Sequence, residues 1–489
     1  MAARRIINFF GQFMMLLGAF MVLPLIVALI YGENSSVRAF CLTIILCVLP
    51  GAAIRFFYKA NIDDISLKPR DSYFIVTISW LLASAVGCIP YILTGSIPNF
   101  FGAFFETCSG FTTTGSTVIN DIEILPRSIL MWRSLTQWLG GMGIIVLFVA
   151  LMPRFGIKAR NIASAETPGP TVTKLTSRFT GTAQRLYVLY LIFTGTLMLL
   201  LLAGGMSIYD ASNHAFTTMA TGGFSTYNDS IAHFHSNYIS WVITLFMFIA
   251  GTNFELFFVA AYGHPLKALK NEEFRLYASI VVIATVAITA SLMHQGTYNN
   301  FREAFRDSAF QVTTIISTTG YATADYDIWP AFCQMVLLLV MITGASSSST
   351  AGGIKMVRVL VLLKMIKREI RIKLHDTIVN DVALDGRKLL PDTVIFIIGF
   401  VSMYLITLIS GTFLISVTGQ GNLITNFTAV LTCISNVGPG LDLVGPTCNF
   451  SFYNGFNQFI LSMVMIAGRL ELSTFFILFS RFFRHPDEV

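Results

Sequence analysis

The sequence predicts an all-α polytopic membrane fold: two initial transmembrane helices, then four parallel repeats of helix, re-entrant loop and helix around a pseudo-four-fold axis. Three observations predict it. Of 489 residues, 54% are hydrophobic and only 12% charged, about half the ~25% charged content of a soluble domain, and mean hydropathy is +0.70. Ten apolar stretches are long enough to cross a bilayer core, which takes ~20 residues each. Between them, four Gly- and Thr-rich segments recur at matched places. A soluble enzyme, a disordered chain and a disulfide-stapled scaffold are excluded. The seven cysteines are odd in number and lie mostly in apolar runs.

Residues 8–31 and 37–57 form the initial pair of spans. The first run is too long for a cleaved signal peptide, and no small-residue cleavage site follows it. The remaining spans pair as 73–94 with 131–152, 184–206 with 238–262, 275–294 with 330–363, and 391–417 with 456–481. The expected units are therefore 1–70 for the initial pair, then 71–160, 161–265, 266–375 and 376–489 for the four repeats. Inside each pair lies a segment too polar or too short to cross: 98–120, 210–228, 303–325 and 424–442. Irregular backbone survives at membrane depth only where it is buried in protein or lines a cavity, so these read as re-entrant loops. Of the 32 Lys and Arg residues, 26 fall on the side of both termini; Arg38, Arg127, Arg133, Arg302 and Arg306 fall opposite, and Arg469 lies within a span. This positive-inside split puts both termini in the cytoplasm and the loops outside. The net charge of +6 is accounted for by topology, with no nucleic-acid partner implied.

The loops read Thr112-Thr-Thr-Gly-Ser116, Ala220-Thr-Gly-Gly-Phe224, Ser317-Thr-Thr-Gly-Tyr321 and Ser435-Asn-Val-Gly-Pro439. Each follows a short helix candidate. All four copies start on the inner side, so they are parallel repeats about an axis along the membrane normal. Four loops dipping toward one axis make a pore. A monovalent cation in a narrow pore must exchange its water shell for other oxygens, which rings of backbone carbonyls supply. Gly115, Gly223, Gly320 and Gly438 permit the unusual dihedrals this needs. Helix packing also enriches glycine and threonine, but it does not account for four motifs in register on loops. An acid follows each glycine: Asp121, Asp229, Asp325 and Asp442. Such a ring at an outer vestibule would concentrate cations, while the plainer reading is that acids favour exposed turns.

In these stretches, SGFTTTGSTVI, ATGGFST, STTGYATAD and SNVGPGLD, the chain resembles the Trk/Ktr/HKT superfamily of potassium transporters, in particular its bacterial TrkH-type members. The initial pair of spans belongs to the same likeness. The resemblance implies gated potassium uptake across the bacterial inner membrane, through a filter lined by Thr113, Thr114 and Gly115; Thr221, Gly222 and Gly223; Thr318, Thr319 and Gly320; and Asn436, Val437 and Gly438. Some sodium-favouring HKT members carry serine at the first glycine, so Gly115 points to potassium. Gly222 stands where two other loops have threonine, and the fourth loop diverges further, which leaves a sodium-permeable or non-selective transporter as the alternative. The resemblance also implies a homodimer and a cytosolic ring of nucleotide-binding TrkA-type subunits. The chain carries no dinucleotide fingerprint of its own, and no cofactor is expected beyond potassium as the transported ion.

The span 330–363 contains Gly344-Ala-Ser-Ser-Ser-Ser-Thr-Ala-Gly-Gly353. Such small residues are poor helix formers, so the span is predicted to break there, close helix packing being the alternative. Gly352-Gly-Ile-Lys355 lacks the residue order of a phosphate-binding loop. By resemblance, the stretch bearing Gly344, Ser346, Ser347, Ser348, Ser349, Gly352 and Gly353 is an intramembrane loop that obstructs the pore. Arg469 lies in the last span, where a guanidinium costs ~2.5–3.5 kcal/mol. Glu471 does not share its helix face. Arg469 therefore either faces the pore and opposes cations, as an arginine does in the resembling family, or pairs with an acid of another span. His233-Phe-His235 reads as solvated loop. The seven histidines are scattered, which disfavours a membrane enzyme. The basic stretch 364–388 is expected beside anionic membrane lipid, and by resemblance near a cytosolic partner.

Overall fold

The computed structural model describes residues 2–58, 69–143, 179–261, 263, 265–374 and 381–477. Six helical stretches among them are long and apolar enough to cross a membrane: Ile6–Ile30, Asn34–Phe57, Asp71–Leu93, Gln184–Ala203, Glu272–His294 and Pro391–Ser416. These are the initial pair and the leading helix of each repeat, within a few residues of the expected bounds. The basic residues Lys59 and Lys68, those from Arg154 to Arg178, and Arg481 and Arg484 lie outside the described residues. So do the predicted span ends beyond residues 143 and 477.

The trailing helices depart from the expectation of four full spans with one break. They run Arg127–Gly141, Asn237–Ala250, Ala331–Thr343 and Gly455–Arg469, too short to cross alone. The second resumes as Phe254–Ala261 after a 92° bend. The third resumes as Met356–Leu374, and the fourth as Leu472–Ile477. Glycine or left-handed backbone marks each break: Gly143 at φ 83°, Gly251, Gly344 at φ 66°, and Glu471 at φ 62° after Gly468. Hydropathy carries straight through these points because the flanking residues stay apolar, so only the long serine stretch was visible as a break.

The re-entrant segments begin as helices Phe100–Phe111, Ile208–Met219, Phe301–Ile316 and Leu423–Ser435. Each is started by a side-chain cap: Asn99, Ser207, Asn300 and Asn422 accept from first-turn amides at 3.2, 3.0, 3.0 and 2.9 Å. A cap of this kind stabilises a helix by ~1 kcal/mol, and it fixes where each chain segment turns back inward. The last turn of each of the four helices is buried but for half-buried Phe216, so the molecule's core surrounds the point where the loops begin. Early in the fourth repeat, before its leading helix, lies a short antiparallel pair, Ala383–Leu384 with Arg387–Lys388, a two-residue addition to an otherwise helical fold. Asp385 at its turn accepts from Glu272 N at 2.9 Å and Asn271 Nδ2 at 2.7 Å, and so closes the start of the third repeat's leading helix.

Candidate functional site: a ring of four loops

After each re-entrant helix the backbone repeats one conformation. Thr113, Thr221, Thr318 and Asn436 lie at φ 56°, 55°, 57° and 55°, and two residues on Gly115, Gly223, Gly320 and Gly438 lie at φ 86°, 76°, 84° and 103°. A β-branched residue in the left-handed region is strained and persists only where its surroundings dictate it. The glycines show what dictates it. A Cβ on Gly115 would strike the carbonyl oxygen of Gly222; on Gly223, that of Thr319; on Gly320, that of Val437; on Gly438, that of Thr114, at 2.8 Å. Each glycine thus abuts the middle carbonyl of the next loop, and the fourth closes back on the first. One cavity of about 130 Å³ is lined by all four glycines. The expected filter residues are brought together in chain order.

The four loops are braced in three ways. In the first and third, hydroxyls pair within the loop: Thr112 with Thr114 and Ser317 with Thr319, each at 2.7 Å. The second has Ala220 and Gly222 at these positions; instead Gln137, on the trailing helix of the first repeat, donates to Gly222 O at 2.6 Å and accepts from Phe224 N at 3.0 Å. In the fourth, Ser435 pairs with Tyr404 at 2.7 Å, and Asn436 Nδ2 donates to Thr114 Oγ1 at 2.9 Å and Met465 O at 3.1 Å. Asparagine tolerates left-handed backbone, which accounts for its place in the divergent loop.

Behind the ring, a carboxylate on each of the first three re-entrant helices accepts from a threonine on the strand leaving its loop. Glu106 accepts from Thr117 at 3.0 Å, Asp210 from Thr226 at 3.0 Å, and Asp307 from Thr323 at 3.3 Å. Arg133, expected among the outer-loop cations, is instead 1% exposed and paired with fully buried Glu106 at 2.8 Å. The reason is that its helix begins at Arg127, which carries Arg133 nearly two turns inward to the only kind of partner that makes burial tolerable. Its guanidinium lies 4.0 Å from the Phe224 ring centroid. Gln137, Glu106 and Arg133 were missed as site residues. The acid-then-threonine pairing around three of the loops was the available signal.

Of the four aspartates, Asp121 and Asp229 lie beside residues that line the cavity, and Asp121 and Asp325 cap turns with their side chains. Asp121 Oδ1 accepts from Glu123 N at 3.1 Å and Asn228 Nδ2 at 2.9 Å. Asp325 accepts from Asp327 N at 3.0 Å, and Asp442 from Asn422 Nδ2 at 2.6 Å. Asp229 is exposed, its backbone carbonyl accepting from Ala232 N at 3.1 Å. Their chain neighbours Asn120, Asn228 and Ser230 line the cavity.

The stretch 344–355 is a non-helical loop packed against the ring. Gly352 N donates to Thr318 Oγ1 at 2.8 Å, and a Cβ on Gly352 would meet Ser435 O and lie 3.0 Å from Asn436 Cβ. The loop is held from the other side as well. Ser347 N and Oγ donate to Glu273 at 2.6 and 2.8 Å; Ser346 N donates to Gly251 O at 3.0 Å, and Phe254 N to Ser348 O at 3.1 Å. Arg469 donates to Thr350 O at 2.8 Å, Gly140 O at 2.7 Å and Gly141 O at 2.6 Å. It joins this loop to the breaks in the first and fourth trailing helices. Glu471 pairs with Arg358, whose guanidinium lies 3.7 Å from the Phe400 ring centroid.

Four re-entrant loops closed into a ring inside a bundle of membrane-crossing helices define a multi-pass membrane transport protein. The TrkH cation transport protein family matches residues 36–487, and the chain belongs to that family. It is 34% identical over 482 residues, 98% of each chain, to the Trk system potassium uptake protein TrkH of Salmonella typhimurium. It is 32% identical over 467 residues, 95% of each chain, to the Trk system potassium uptake protein TrkG of Escherichia coli. The crystal structure of the potassium transporter TrkH from Vibrio parahaemolyticus superposes with a TM-score of 0.87 at 33% identity, covering 99% of this chain and 100% of that one.

Proposed function

We propose that the protein is the membrane subunit of a Trk-type potassium uptake system of the bacterial inner membrane, passing potassium through the ring of four loops. The observation that carries this reading is the closed sequence of four glycine-to-carbonyl contacts, which brings one backbone oxygen of each loop against the next only because no Cβ intervenes. Carbonyl rings of this kind replace an ion's hydration shell. In this reading Thr113–Gly115, Thr221–Gly223, Thr318–Gly320 and Asn436–Gly438 bind potassium. The loop Gly344–Gly353 plugs the passage and Arg469 latches it, while Asp121, Asp229, Asp325 and Asp442 draw cations to the outer mouth. Both termini are cytoplasmic, the protein assembles as a homodimer, and a cytosolic TrkA-type nucleotide-binding subunit releases the plug. The family is one of cation transport proteins, and catalysis has no part in this reading.

The test is purified protein in potassium-loaded liposomes, with tracer uptake followed against competing sodium. Uptake suppressed by external potassium and not by equal sodium is expected. Equal suppression by both ions favours a non-selective transporter, a reading the unequal bracing of the second and fourth loops supports.

A further inference from the structure

We infer that Gln137 is a positioning residue that sets ion specificity: its amide braces the second loop and, by donating to Gly222 O, weakens one of the four middle carbonyls of the ring. The inference rests on the potassium-pore reading above. Among the described residues, Thr114 O, Thr319 O and Val437 O accept no protein hydrogen bond, whereas Gly222 O accepts one at 2.6 Å. A carbonyl oxygen has two lone pairs. The amide donor occupies one and sets the positive end of its dipole beside the oxygen, so less field remains for an ion. Discrimination in a carbonyl filter depends on the number and field strength of its ligands. A weaker ring repays less of the hydration shed by sodium, the smaller and more strongly hydrated ion, and the balance moves toward potassium.

The residues at this place form one exchangeable set. Loops one and three carry a hydroxyl pair, and loop two carries Ala220 and Gly222 with a glutamine reaching in from the neighbouring repeat. A Cβ at position 222 would lie within 2.8 Å of Cγ, Cδ and Oε1 of Gln137. Threonine at 222 and glutamine at 137 therefore exclude each other. Gln137 is fully buried, and it is held at both ends of its amide, by Gly222 O and Phe224 N. Its donor cannot swing away from the carbonyl without breaking both bonds.

Two variants separate brace from specificity. Gln137→Met keeps the volume and removes both hydrogen bonds. The pair Gln137→Ala with Gly222→Thr removes the donor and clears the space for a side chain of the kind loops one and three carry. Each is reconstituted as the full chain in liposomes, with the potassium-to-sodium permeability ratio measured beside the melting temperature. Both variants are expected to lower the ratio by about two- to tenfold, the range one hydrogen bond carries, the double variant doing so with a near wild-type melting temperature. A folded Gln137→Met with an unchanged ratio would overturn the inference. If that variant fails to fold, the double variant decides in the same way. A wild-type protein that does not distinguish potassium from sodium overturns the pore reading itself, and is recognised because no substitution is needed to see it.

Discussion

Alanine placed at the four ring glycines should hurt unequally, and the structure says in which order. All four have φ between 76° and 103°, so each substitution carries a left-handed penalty of roughly 1–2 kcal/mol. The second term differs. At Gly438 the new Cβ would lie 2.8 Å from Thr114 O, about 0.5 Å inside an ordinary carbon–oxygen contact of ~3.3 Å, the shallowest overlap of the four. At Gly223, Gly320 and Gly115 it would lie closer to the oxygens of Thr319, Val437 and Gly222, with Gly223 the tightest. All four oxygens belong to ring-bound backbone, so the deeper overlap at these three positions is what makes the strain resemble core overpacking, ~1–3 kcal/mol more. The expected totals are about 1–2 kcal/mol at Gly438 and about 2–5 kcal/mol at the other three. The assay is potassium flux and potassium-to-sodium preference in liposomes, alongside the melting temperature in detergent. Gly438→Ala should keep most of its flux, and Gly223→Ala should lose it together with ion preference. A Gly438 variant as damaged as the Gly223 variant would refute the ring geometry, and so would four variants indistinguishable from wild type. Gly115→Ser belongs with the severe group.

Three further outcomes follow from contacts behind the ring. Arg469→Ala removes the donors that tie Thr350 to Gly140 and Gly141; it should give folded protein with raised basal flux, and a poorly folded product would assign Arg469 to the scaffold instead. Arg133→Met strands Glu106, which is 0% exposed, and should cost ~3–5 kcal/mol, read as a fall in melting temperature that Glu106→Gln partly reverses. Asparagine at Asp121, Asp229, Asp325 and Asp442 together keeps an acceptor oxygen at each position and should reduce uptake only at low ionic strength, since the Debye length falls to ~8 Å at physiological salt; an equal loss in high salt would rule out a long-range electrostatic role.

The four ring loops were legible because their signal is local. A glycine after hydroxyl-bearing residues, repeated four times, needs no knowledge of the partner strand, and the same is true of the six long apolar helices. What escaped were features whose cause lies far along the chain. Glu106 and Arg133 are separated by a loop, and Arg133 reads as an outer charge until its helix is seen to start at Arg127. Gly222 looked like a defect in the repeat, yet it is the space that Gln137 of another repeat fills. Three of the four helix breaks were hidden for a different reason. Gly140-Gly-Met-Gly143, Gly251-Thr-Asn253 and Gly468-Arg-Leu-Glu471 are too short to lower a hydropathy average, whereas the serine-rich third break is long enough to show.

The last contact of the ring, Gly438 against Thr114 O, joins two ends of one polypeptide. A pore built from four identical chains changes on all sides at once when one codon changes, and each mutation is multiplied by four. Here each side is encoded separately. Under the potassium-pore reading proposed above, selectivity can be adjusted one ligand at a time, and a side relieved of matching its neighbours is open to other work. The second side has taken its brace from the adjoining repeat. The third and fourth, which meet Gly352, have become the face against which the 344–355 loop rests.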